Sequence, residues 1–275
     1  MKMNLSIILM ILFILLIILI IIIVGILFYL VLTNINTPPV NNNVDTVSIA
    51  SWNLQNFGPT KAANETLLNF YVNKLDDYDV FVIQELRDST TNAIDSFASK
   101  LPTYHYIISK LAGQGTSKEQ YAIFYKNNIE LLSTTDWTEK KQNKFERPPL
   151  EVTFKVKNWT FTLYTIHIKL DNAPLEFTNL ENLIDTPTQD TILLGDLNAD
   201  GDNYYNGVIH NFFSWHWLIT SDMDTTVAKS SNAYDRIIIN DATENNFISV
   251  GIMNDVTASQ SDHYLIYAMF NPNKN

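Results

Sequence analysis

The chain has no cysteine among its 275 residues. Disulfides and thiolate metal sites are therefore excluded. Cations are scarce as well: 18 Lys+Arg stand against 29 Asp+Glu, for a net charge of −11. Every cation except Lys2, and every acid, lies in residues 45–275, so that segment carries −12. A protein that held nucleic acid only by neutralising phosphates would be basic. Any phosphate ligand here must be held by a bound cation and a few local arginines. No internal repeat is visible along the chain.

Charge of either sign is missing from Leu5 to Leu32, a run made almost wholly of Ile, Leu, Val and Phe. As a helix it would reach about 40 Å, more than the ~30 Å of a hydrocarbon core. The run exceeds the length of a signal-peptide core, and Leu30-Val31-Leu32-Thr33 offers no small-x-small cleavage site. The expectation is a single-pass membrane anchor over 1–33; the alternative is secretion after signal cleavage. Lys2 precedes the run and no cation follows until Lys61, which favours an extracytoplasmic domain. Residues 34–44 hold two prolines and no hydrophobic period, and read as a linker. Asn64-Glu65-Thr66 and Asn158-Trp159-Thr160 match the glycosylation acceptor pattern.

Residues 45–275 read as one domain. Helices are expected over 63–77, where Leu67, Leu68, Tyr71 and Leu75 recur at three and four, over 90–100, over 175–184 and over 205–213. Strands are expected over 47–52, 79–84, 104–109, 121–125, 129–134, 150–156, 159–168, 191–194, 236–239 and 264–270, with a hairpin at Lys157-Asn158. Strands outnumber helices and come in runs. The pattern predicts an α/β (α+β) fold, two mixed β-sheets packed as a sandwich with outer helices.

Six peptides carry the chemistry: Ser51-Trp52-Asn53-Leu54-Gln55, Ile83-Gln84-Glu85, Thr165-Ile166-His167, Gly195-Asp196-Leu197-Asn198-Ala199-Asp200, Tyr234-Asp235-Arg236-Ile237 and Ser261-Asp262-His263. Five end apolar runs and the Tyr-Asp-Arg-Ile peptide opens one, so each places an acid, amide or imidazole at a strand edge. Burying an unpaired carboxylate such as Glu85 at a strand end is costly, and a metal would offset the cost. Asp196 and Asn198, two apart, point the same way if the extended geometry continues. The same Asp-x-Asn-x-Asp also reads as a turn or a calcium loop. His167 and His263 stand at strand edges, and Asp235 can pair with a histidine. Carboxylates for a hard divalent metal and imidazoles for proton transfer are what phosphodiester hydrolysis requires.

In this order the peptides resemble the endonuclease/exonuclease/phosphatase superfamily, and its deoxyribonuclease I branch in particular, over most of residues 46–271. Asn53-Leu54-Gln55-Asn56-Phe57-Gly58-Pro59-Thr60-Lys61, Gln84-Glu85-Leu86-Arg87-Asp88-Ser89, Thr103-Tyr104-His105-Tyr106, Asp224-Thr225-Thr226 and Ala233-Tyr234-Asp235-Arg236-Ile237 carry the branch likeness. The resemblance implies a divalent-metal endonuclease acting on DNA, with a monomeric catalytic domain; joined to the anchor read from residues 1–33, it would be membrane-anchored. It implies Mg²⁺ or Mn²⁺ as cofactor, at or near Glu85, Asn53, Asp196 and Asp262. It makes His167 and His263 the catalytic histidines, oriented by Glu119 and Asp235. Asn198 would hold the scissile phosphate, and Arg87 and Arg147 would touch DNA. Asp224 and Thr226 retain part of a structural Ca²⁺ site, from which Ala228 departs. Ser117 and Gln55 depart where the branch grips DNA, and Gly201 and Asn232 replace one of its disulfides. The same catalytic set would serve a phosphodiesterase or phosphatase acting on lipid headgroups or small phosphates, for which Phe212-Phe213-Ser214-Trp215-His216-Trp217 is the nearest docking segment. A non-catalytic binding module would have lost a ligand or a histidine, and none is missing.

Overall fold

Alternation along the strands builds this molecule. In the computed structural model, which describes Leu19, Ile22 and residues 46–115 and 118–274, twelve strands form two six-stranded sheets. The expected anchor and linker over 1–44, and Ser117, otherwise lie outside the described residues. Among the described residues no helix is long and apolar enough to cross a membrane.

The first sheet takes β1 (Val47–Phe57), β2 (Val80–Leu86), β3 (Tyr104–Ile108), β4 (Gln120–Lys126), β11 (Phe247–Met253) and β12 (Leu265–Phe270) in the order β11-β12-β1-β2-β4-β3. The second takes β5 (Glu130–Asp136), β6 (Leu150–Val156), β7 (Trp159–Thr165), β8 (Asp190–Asp196), β9 (His216–Trp217) and β10 (Asp235–Ile239) in the order β5-β6-β7-β8-β10-β9. Each sheet has one parallel pair at its middle, β1 with β2 and β7 with β8, and antiparallel neighbours elsewhere. The mixed two-sheet sandwich expected from the sequence is what forms.

Period-two patterning divides each central strand between two cores. Val47, Ile49, Val80, Val82, Ile192, Leu194, Ile237 and Ile239 meet between the sheets. Their alternates Ala50, Trp52, Phe81 and Ile83 face outward under α2 (Glu65–Leu75) and α3 (Asn92–Ala98). Leu193 and Ile238 face outward under α5 (Ala173–Ile184), whose Phe177 and Leu180 cover them. Short helices α1 (Pro59–Ala62), α4 (Thr138–Lys141) and α6 (Asp241–Glu244) complete the chain order. Lys157 and Asn158 make the expected two-residue turn, with Val156 facing Trp159 and Lys157 at φ 55°.

Two expectations fail locally. Residues 205–213 are not an α-helix: a 3₁₀ turn spans Tyr205–Gly207, and Asn206 and Gly207 sit at φ 53° and 76°, which breaks helical continuation. The 159–168 strand stops at Thr165; beyond it most of the 167–169 backbone groups bond to side chains from elsewhere, and the Ile168 N–H bonds to the Asp196 carbonyl. Strand β11 was not anticipated. Its residues are mostly half-buried and lack the continuous apolar run of a central strand.

Candidate active site

Topology brings all six peptides to one rim. Strands β1, β2 and β8 end there; β7 ends just before His167; β4, β10 and β12 begin there. Antiparallel pairing sets Asp235 opposite Asp196 and Leu86 opposite Gln120, the residue after Glu119. Gln84 stitches the two sheets below the rim: its Nε2 donates to Thr165 Oγ1 at 3.3 Å and its Oε1 accepts from the Asp196 N–H at 3.2 Å. Gly195 makes this approach feasible. It sits at φ +144°, and a Cβ there would fall 2.2 Å from the Ile166 carbonyl oxygen and 2.4 Å from Gln84 Nε2.

Non-glycine residues in left-handed backbone cluster at the rim as well. Gln55, Asn56, Glu85 and Asn198 have φ of 48°, 57°, 57° and 49°. Such conformations persist where surroundings over-determine them. Here the Asn56 N–H donates to Glu85 Oε2 at 2.8 Å, and the Asn198 N–H to Asp196 Oδ1 at 3.2 Å.

Two histidine–carboxylate pairs converge on Asp196. His167 Nδ1 lies 2.9 Å from Glu119 Oε2, and its Nε2 is 3.4 Å from Asp196 Oδ2. His263 Nδ1 lies 2.7 Å from Asp235 Oδ2, and its Nε2 is 3.5 Å from the same Asp196 oxygen. Asn53 bridges the carboxylates beside them: its Nδ2 donates to Glu85 Oε1 at 3.1 Å and to Asp196 Oδ2 at 2.9 Å, while its Oδ1 accepts from the Gln55 N–H. Ser261 ties this strand to the His263 loop, donating to the Asn53 carbonyl at 2.6 Å and accepting from the His263 N–H.

The electrostatics follow. Burial acts to raise the Asp196 carboxyl, but His263, His167 and the Asn53 amide outweigh it and hold it below the ordinary range. Burial likewise opposes ionisation of Glu119, and the His167 hydrogen bond, the His167 charge and Arg147 reverse it. Burial disfavours a charged His263, yet Asp235 and Asp196 raise it to about 10. Burial raises Asp235 in turn, so this pair holds its proton firmly.

Ligand atoms of Glu85, Glu119 and His167 lie within 4.8 Å of one another, as do those of Asp196, Asp235 and His263. Within these groups Glu119 and Asp235 are already engaged by histidines. Glu85 and Asp196 share the Asn53 amide, and their carboxylate oxygens, with both imidazole Nε2 atoms facing Asp196 Oδ2, fit a hard divalent cation.

The remaining expected residues are placed less directly. Asp262 is 51% exposed, with its Oδ1 3.7 Å from His263 Nε2, and joins neither group. Asn198 is buried and donates Nδ2 to the Ile168 carbonyl at 2.8 Å. Arg87 lies 3.6 Å from both Glu85 and Glu119 and is 34% exposed at the rim. Arg147 is half-buried behind His167: its Nη1 donates to Glu119 Oε1 at 2.8 Å and its Nε to the His167 carbonyl at 2.9 Å. The Phe212–Trp217 segment splits, with Phe212 and Trp217 in the core and Phe213 83% exposed. Tyr121 was not anticipated. Its hydroxyl accepts from the His167 N–H and donates to the Arg147 carbonyl, both at 3.0 Å. Its signal was parity: two residues after Glu119, it leaves the strand on the same face.

Residues 50–263 match the model of the Endonuclease/Exonuclease/phosphatase family. Deoxyribonuclease-1 of Equus caballus is 31% identical over 255 residues, which cover 78% of this chain and 89% of that protein. Deoxyribonuclease-1 of Bos taurus is 28% identical over 255 residues, covering 79% and 90%. Among solved structures, a humanized D. rerio TDP2 superposes with a TM-score of 0.63 at 17% identity, covering 82% of this chain and 99% of that one. The chain belongs to the Endonuclease/Exonuclease/phosphatase family, with a deoxyribonuclease I-like relationship, and is a hydrolase acting on phosphodiester bonds.

Proposed function

We propose that this protein is a divalent-metal-dependent endonuclease that hydrolyses DNA by in-line attack of water, tethered to a membrane by residues 1–33. The observation that carries the reading is the convergence of His167 Nε2 and His263 Nε2 on one Asp196 oxygen, at 3.4 and 3.5 Å, each imidazole backed by its own buried carboxylate. The likeness to deoxyribonuclease-1 supports DNA as the substrate.

Glu85 and Asp196, with Asn53 between them, would hold Mg²⁺ or Mn²⁺. When bound, the cation supplies charge stabilisation for the phosphoryl oxygens. The chain's own groups move the protons. Glu119 fixes His167 so that Nε2 faces the centre, ready to take a proton from water. His263, held protonated by Asp235, is the donor to the leaving oxygen. Arg87, beside Glu85 and Glu119, and Asn198, beside Asp196, would steady the phosphate. The tether draws its support from the charge-free run at Leu5–Leu32.

The test is a substrate panel. The full chain in detergent micelles is incubated with supercoiled plasmid, single-stranded DNA, RNA and sphingomyelin vesicles, with and without Mg²⁺. Metal-dependent nicking of plasmid is expected. Release of phosphocholine with plasmid left intact would instead favour a lipid phosphodiesterase.

A further inference from the structure

The segment His167–Lys169 lies outside the sheet, yet five of its six backbone polar groups are gripped by partners distant in sequence, and the sixth, the Lys169 carbonyl, accepts from the nearby Asn172 N–H. The His167 N–H donates to Tyr121, and its carbonyl accepts from Arg147 Nε. The Ile168 N–H donates to the Asp196 carbonyl, and its own carbonyl accepts from Asn198. The last grip is Glu176, in the first turn of α5 and 1% exposed. Its Oε2 accepts from the Lys169 N–H at 3.2 Å, and its Oε1 accepts from the Glu146 N–H at 2.8 Å.

Glu146 directly precedes Arg147, and Lys169 follows His167 by two. One buried carboxylate therefore joins the backbone of the loop that carries Arg147 to that of the loop that carries His167, beside the half-exposed Lys169 Nζ–Glu146 Oε2 ion pair at 3.3 Å. Arg147 closes the ring by bonding both the His167 carbonyl and Glu119, the residue that orients the imidazole. Burial raises the Glu176 carboxyl, so a carboxylate at this point is costly. A helix that needed only an apolar stripe of Ala173, Phe177, Leu180 and Ile184 would not place an acid there.

We propose that Glu176 is a positioning residue for catalysis. It holds the Arg147 and His167 loops in register, so that the His167–Glu119 pair stays aimed at Asp196. As a statement about catalysis this rests on the nuclease reading. Substituting Glu176→Gln keeps one acceptor but turns an NH₂ toward the other backbone N–H, parting one of the two loops with little change in volume.

The experiment compares full-chain variants in plasmid nicking with Mg²⁺. Glu176→Gln lowers kcat about 10- to 100-fold and leaves KM within about twofold, the pattern of a misaimed catalytic group. Leu180→Ala, one turn along α5 and buried in the outer core, is the control for plain destabilisation. It lowers the melting temperature at least as much but keeps kcat within about twofold. In an Arg147→Ala background Glu176→Gln costs at most about twofold more, because the two residues act through one ring. Equal kcat losses in Glu176→Gln and Leu180→Ala, or full additivity with Arg147→Ala, would overturn the proposal. If the parent cuts no DNA, the nuclease reading fails by itself, and amide exchange still tests the clamp. Glu176→Gln should speed exchange at the Lys169 N–H at least about tenfold without touching Leu193; unchanged exchange at Lys169 would overturn it.

Discussion

Asp235 stands directly opposite Asp196 in the β8–β10 ladder, so two buried carboxylates meet at one rim of the sandwich. Register makes this juxtaposition. It survives because His263 bridges them, 2.7 Å from Asp235 and 3.5 Å from Asp196. Removing the bridge's support should silence the site without unfolding the domain. Asp235→Asn is expected to cut nicking about 10²- to 10⁴-fold, the range of a lost general acid or base, while far-ultraviolet circular dichroism stays that of the parent. Glu119→Gln should cost a similar factor through His167.

The same bridge predicts a pH dependence in the chelated protein. His263 is raised from its ordinary value to about 10. A raised imidazole stabilises the fold fully below the unfolded pKa of roughly 6.5, and that contribution is lost as pH rises through about 10. Melting temperatures from pH 6 to 11 should therefore show the parent ahead of His263→Gln at low pH and the gap closing toward pH 11. A constant gap would rule out charge as the source of the stability.

Metal binding should also register as stability. One Asn53 amide donates to both Glu85 and Asp196, at 3.1 and 2.9 Å, so a divalent ion held by these two carboxylates should stabilise the folded state. Mg²⁺ at about 100 times its Kd should add roughly 2.7 kcal/mol. The gain is measured by denaturant titration with and without metal, and Asp196→Asn should abolish most of it.

Calcium at the Asp224 turn should do little. Asp224 Oδ1 already accepts from the Thr226 N–H at 3.0 Å, the Thr226 hydroxyl at 3.1 Å and the Asn232 N–H at 3.2 Å. Ala228 offers no side-chain oxygen. Asp224→Ala should cost about 1–3 kcal/mol by leaving those donors unmet, and millimolar Ca²⁺ should not raise the parent's melting temperature.

Gly195 is expected to tolerate no side chain. Its φ of +144° and the 2.2 Å clash of a Cβ with the Ile166 carbonyl place Gly195→Ala at or beyond about 3 kcal/mol of destabilisation, read from urea unfolding.

Much of this architecture was legible in the sequence because period two is a strong code. Val80, Phe81, Val82 and Ile83 alternate between two cores, and their short, β-branched, wholly apolar run reads as a strand covered on both faces. Strand ends marked by Asn53, Glu85 and Asp196 announced a polar rim; Ser261-Asp262-His263, expected to end an apolar run, instead leads into β12. Partnership was less legible. Arg147 reads as an arginine beside a proline that would touch DNA, yet Glu119, from the segment just before β4, pairs with it and half-buries it. Asp262 adjoins His263 in sequence, but its side chain turns to solvent. Glu176 did leave a trace, an acid on the apolar stripe of α5, but periodicity cannot say which backbone groups it serves. Residues 205–213 failed because left-handed Asn206 and Gly207 overrode apolar spacing that suggested a helix.

The central claim is that His167 and His263 share one hydrolytic centre. The most direct measurement is nicking of supercoiled plasmid by the full chain in detergent micelles with Mg²⁺, beside His167→Ala and a chelated sample. The account predicts open-circle product from the parent alone. Intact plasmid with the parent, or equal cleavage by His167→Ala, would contradict it.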